Sequence, residues 1–124
     1  MRRGLHILSR WLPPALWAGF ILLLSAQPSS RLPASGFDGA DKLVHVALFA
    51  VLGALLTRAV LGAGLRTVAA VALAIAAAAA FGVLDEWSQQ LSSGRVASVA
   101  DAAADAIGAC LGAAFWCITR APNK

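Results

Sequence analysis

Residues 66–84 read RTVAAVALAIAAAAAFGVL, and residues 85–90, DEWSQQ, follow without a break. Apart from Arg66 the first stretch carries no charge. Its length is close to the ~20 residues an α-helix needs to cross the hydrocarbon core of a bilayer. Three further stretches of the same kind accompany it, at about 5–26, 42–61 and 99–118. Together they predict an all-α fold: a membrane-embedded bundle of about four transmembrane helices, forming a single domain over residues 1–124. The composition points the same way. The 124 residues are 60% hydrophobic and 13% charged, with a mean hydropathy of +0.77. A water-soluble domain this small exposes too much surface to be built from so few charges.

The connections are short and polar. Residues 27–41 are rich in Pro, Ser and Gly, Gly62 and Gly64 suit a tight turn, and residues 85–98 read as the link between the third and fourth helices. Pro13 and Pro14 are expected where the regular part of the first helix begins. Arg2 and Arg3 before an apolar run have the look of a signal peptide. No small-x-small cleavage site follows at Leu24-Ser25-Ala26-Gln27-Pro28, so the run is read as an uncleaved anchor. The alanine run Ala76–Ala80 lets neighbouring helices approach closely. Cys110 and Cys117 match no zinc or redox spacing and are read as small packing residues.

Net charge is +4, but the basic residues sit at segment ends and no basic patch is interleaved with stacking aromatics, so no nucleic-acid partner is assigned. With the N-terminus in the cytoplasm, seven basic residues (Arg2, Arg3, Arg10, Arg58, Arg66, Arg120, Lys124) lie inside and three (Arg31, Lys42, Arg95) outside. The positive-inside rule favours this orientation, with both termini cytoplasmic. All six acids, Asp38, Asp41, Asp85, Glu86, Asp101 and Asp105, then fall on the outer side. Acids barely influence topology, so their gathering needs a local cause.

Helical spacing groups them. Asp41, His45 and Phe49 form one i, i+4 line, and Phe81, Asp85 and Gln89 a second, with Glu86 and Gln90 alongside. Asp101, Asp105, Gly108 and Gly112 form a third. The last two make a GxxxG pattern, a close-packing device that serves within a bundle or between copies, so a homo-oligomer stays open. Asp101 and Asp105 continue that stripe and should face the bundle interior. A carboxylate at full membrane depth costs about 2.5–3.5 kcal/mol, so Asp105 needs a partner, a proton or water. Lys42 or Arg95 is expected to pair with an acid from another helix.

The candidate site is therefore Asp41, Lys42, His45, Asp85, Glu86, Gln89, Arg95, Asp101 and Asp105, with Gly108 and Gly112 as packing residues. Such a cluster can hold a polar headgroup, since carboxylates with Lys42 and Arg95 accept hydroxyls, amines and phosphate. Alternatively, His45 one turn from Asp41, with Asp85 and Glu86 nearby, can do acid–base work in a membrane-embedded hydrolase or transferase. A structural accessory protein, whose polar network only locks the bundle, is a third possibility. Under that reading Asp41 is a helix N-cap. The same side chains can ligate a divalent metal, but no nucleophile, HExxH or phosphate-loop pattern is present, and no metal or cofactor is assigned.

The ordered set Asp41-Lys42-x-x-His45-x-x-x-Phe49, Phe81-Gly82-x-x-Asp85-Glu86-x-x-Gln89, Gly94-Arg95, Asp101, Asp105, Gly108 and Gly112 resembles the VanZ-like family of bacterial membrane proteins, over roughly residues 25–116. Two positions depart from that pattern: Ser93 stands where the family usually has proline, and Asp105 where it usually has asparagine. The resemblance implies a small multi-pass protein of the bacterial inner membrane. The family's namesake is associated with resistance to the glycopeptide teicoplanin, which the sequence itself does not show; the expected partner, a membrane lipid or a lipid-linked envelope component, follows from the polar cluster.

Overall fold

A computed structural model describes residues 2–27, 39–93 and 97–120. They form four α-helices: α1 Arg2–Ser25, α2 Ala40–Gly62, α3 Thr67–Ser93 and α4 Val99–Arg120. All four are long and apolar enough to span a membrane, and the fold is the expected all-α bundle. The order is up-down-up-down. Ser25 at the end of α1 touches Asp85 near the end of α3. Lys42 at the start of α2 touches Asp101 at the start of α4. Arg10 of α1 lies beside Gly62 at the far end of α2.

Two boundaries differ from the sequence expectation. Helix α1 begins at Arg2, and Pro13 and Pro14 lie inside it. Their missing N–H groups remove two helix bonds, which the surrounding turns bridge. Helix α3 runs to Ser93, past the expected end near Leu84. Asp85, Glu86 and Gln89 are buried on one face, while Val83, Leu84, Trp87 and Leu91 stay exposed on the other. The apolar stripe thus continues for two further turns.

The closest packing is between α2 and α4. A Cβ on Gly108 would run into the Val46 carbonyl, one on Gly112 into the Ala50 carbonyl, and one on Gly53 into the Ala109 carbonyl. Glycine on both helices therefore brings the backbones together, and the GxxxG pattern is used inside the chain. On α3 the line Ala70, Ala74 and Ala78 is fully buried; of the run Ala76–Ala80 only Ala78 is buried, and Ala76, Ala77 and Ala80 are exposed. A core of Ile21, Phe49, Leu52, Ala78 and Ala109, flanked by Trp17, Leu48 and Phe81, joins all four helices. The Trp17 indole N–H donates to the Leu48 carbonyl at 2.9 Å and ties α1 to α2.

Candidate functional site

Along each inner stripe the residues change from small and apolar to polar at the same end of the bundle. On α3 the buried line Ala70-Ala74-Ala78-Gly82 runs into Asp85, Glu86 and Gln89. On α4 the buried positions Gly112, Gly108 and Asp105 lead up to Asp101. On α2, Phe49 leads to His45 and Lys42. Four carboxylates, Asp85, Glu86, Asp101 and Asp105, are each at least nine-tenths buried.

Lys42 carries the expected interhelical ion pair: its Nζ lies 2.9 Å from Asp101 Oδ1 and 3.2 Å from Asp41 Oδ2. Arg95, the other expected partner, lies outside the described residues, as do Asp38 and Arg31. His45 pairs with Asp105 across the α2–α4 seam, Nδ1 to Oδ1 at 2.8 Å, and not with Asp41 one turn away. Asp41 is exposed and bonds Lys42. It is not the N-cap of α2 either. Gly39 holds that position at φ +93°, with no side-chain cap.

Asp85 Oδ2 accepts hydrogen bonds from Ser25 Oγ at 2.6 Å and from Gln89 Nε2 at 3.1 Å. Glu86 Oε2 accepts the Ser98 backbone N–H at 3.1 Å. Ser98 in turn caps α4, its Oγ accepting the Asp101 N–H at 3.2 Å. In a capping box the third residue of the helix reaches back to the capping residue's N–H. Here Glu86 of α3 takes that part, so the start of α4 is fastened to α3. Among the described residues, Asp85 Oδ1 and Asp105 Oδ2 are buried without a hydrogen-bond partner.

Gly82 makes room for this arrangement. A Cβ there would lie 2.7 Å from Asp105 Oδ2 and 3.2 Å from the Phe49 ring. The sequence reading did not place Ser25, Gly82 or Ser98 in the site. Ser98 had a signal, a Ser-x-x-Asp pattern ahead of an apolar run. Ser25 had none, because its role depends on how α1 lies against α3.

A bundle of four spanning helices, with buried carboxylates, a histidine and a lysine gathered at one end, defines a multi-pass membrane protein with a polar site at one membrane face. The chain belongs to the VanZ/LLP1 family, whose model matches residues 9–120. No curated protein and no solved structure matches it.

Proposed function

We propose that the polar end of the bundle binds the headgroup of a membrane lipid or lipid-linked envelope component at the outer face of the bacterial inner membrane, with both termini in the cytoplasm. The observation that supports this is the pair of buried carboxylate oxygens without donors, Asp85 Oδ1 and Asp105 Oδ2. An acceptor left unpaired away from water costs about 1–3 kcal/mol. A headgroup bearing hydroxyls or amines supplies the missing donors. The half-exposed Lys42 at the rim offers a contact for a phosphate. A protein that covers an envelope precursor in this way would also hinder a glycopeptide antibiotic from reaching it, which fits the resistance linked to the family's namesake.

The test is native mass spectrometry of the full chain released from mild detergent. Wild type should retain a lipid that Asp85→Asn loses, by about tenfold or more in occupancy, while thermal melting of the two proteins stays comparable. Equal lipid occupancy in both would sink the proposal. The His45–Asp105 contact supports a second reading, an acid–base dyad in a hydrolase or transferase. That reading fails if headgroup release from a radiolabelled membrane lipid extract is the same for wild type and His45→Gln.

A further inference from the structure

His45 on α2, Glu86 on α3 and Asp101 on α4 each offer a ligand atom, and the three atoms lie within 4.8 Å of one another. Donors bound at the usual 2.0–2.2 Å around a tetrahedral zinc ion stand ~3.4 Å apart, so side-chain rotations closing the widest pair by at most ~1.4 Å bring all three into coordination range. We propose that these three residues bind a divalent transition-metal cation, of the Zn²⁺ or Mn²⁺ type, between the ends of three helices.

Each of the three residues also has one polar atom engaged with a neighbour, and metal binding would use the other. His45 Nδ1 faces Asp105 Oδ1 at 2.8 Å, and a ring that donates from Nδ1 carries its lone pair on Nε2. A carboxylate behind a ligating imidazole is the usual way a metal-bound histidine is oriented and made more basic. Glu86 uses Oε2 for the Ser98 N–H, which leaves Oε1. Asp101 uses Oδ1 for Lys42, which leaves Oδ2. An imidazole among the donors favours a transition metal over magnesium or calcium, which select oxygen alone.

Charge supplies an independent reason. Asp85, Glu86, Asp101 and Asp105 are all buried. The cationic side chains that touch them among the described residues are Lys42 and, when protonated, His45. Asp105 is 1% exposed, and its Oδ2, on the carboxylate that holds His45, has no donor among those residues. A dication draws down that surplus. Three protein ligands also leave a coordination position open to water or to a headgroup oxygen. That last use rests on the headgroup proposal above, whereas cation binding does not.

The experiment uses the full chain in detergent, stripped with a chelator and titrated separately with Zn²⁺ and Mn²⁺, with stoichiometry read by elemental mass spectrometry. Wild type should bind about one ion per chain and melt at a higher temperature with it. His45→Ala, Glu86→Gln and Asp101→Asn should each weaken binding by about tenfold or more, and Asp105→Asn, which acts through His45, by about 10- to 100-fold. His6→Ala, the other histidine, and Cys110→Ala/Cys117→Ala should change nothing.

Binding that survives His45→Ala, or that disappears with His6→Ala or the cysteine changes, overturns the site. Should the ligand variants fail to fold, pulsed electron paramagnetic resonance of Mn²⁺-loaded wild type decides alone. Coupling to one imidazole nitrogen supports the site, and its absence, or failure of the chain to take up either ion, overturns it. Lipid occupancy measured in chelator reports on headgroup binding separately, so either proposal can fail without the other.

Discussion

At the scale of single residues, the site is set by who shares a proton, a charge or a space with whom. Gly82 has no polar atom in its side chain, yet it fixes where the Asp105 carboxylate sits, because a Cβ would come within 2.7 Å of Oδ2. Gly82→Ala should push that carboxylate off His45, lower the melting temperature by the equivalent of about 1–3 kcal/mol, and weaken metal binding without removing a ligand. Unchanged melting and unchanged affinity would show that the carboxylate has room to spare. Lys42 makes the opposite case. Its side chain is 43% exposed, so Lys42→Met should change stability by no more than about 1 kcal/mol in thermal melting. Removing this cation leaves Asp101 with both oxygens and its full charge available, so Zn²⁺ affinity measured by titration should rise. A fall would mean that Lys42 positions Asp101 for the metal and is not its competitor.

At the scale of helices, the α2–α4 seam is held by absent side chains. Gly112→Ala would drive a methyl group into the Ala50 carbonyl. It should destabilise the bundle by about 1–3 kcal/mol. Gly19→Ala meets open space and should melt like wild type. Equal melting of the two variants would contradict the seam as described. The α4 side of this seam was legible beforehand, because Asp101, Asp105, Gly108 and Gly112 lie on one face by helical spacing alone, but its partner α2 was not. Nor was the full length of α3. The appearance of Asp85, Glu86, Ser88, Gln89 and Gln90 lowers the average hydropathy as if the helix were leaving the membrane. In fact the exposed apolar stripe of Leu84, Trp87 and Leu91 persists while Asp85, Glu86 and Gln89 turn inward. The contacts of Ser25 with Asp85 and of Ser98 with Glu86 were also out of reach. Periodicity within one helix says which face a residue occupies, but not at what height it meets the next helix. The same limit explains why His45 was matched to Asp41 on its own helix, when its partner Asp105 stands across the seam.

At the scale of the whole molecule, charge is divided between the two ends. Arg10, Arg58, Arg66 and Arg120 lie on or near helix ends or in connections at one end, and Asp41, Asp85, Glu86, Asp101 and Asp105 at the other, where Lys42 is the one lysine or arginine among the residues described. Arg120 lies over the Trp116 ring, 4.8 Å from its centre, a cation–aromatic contact suited to the headgroup layer. The arginine end should face the cytoplasm, because translocating short basic connections is disfavoured. The acidic end, with its site, then faces outward. Single cysteines on a Cys110→Ala/Cys117→Ala background test this directly. Gln27→Cys sits at the acidic end of α1, and Ala63→Cys in the exposed turn between α2 and α3. A membrane-impermeant maleimide added to intact cells, with the outer envelope made permeable where there is one, should label the first and spare the second until the membrane is broken. Reversed labelling would put the polar site in the cytoplasm. It could then hold the headgroup of an inner-leaflet lipid, but not shield an envelope component from an antibiotic outside. The cation site, which depends only on three helices meeting, would be untouched by that result.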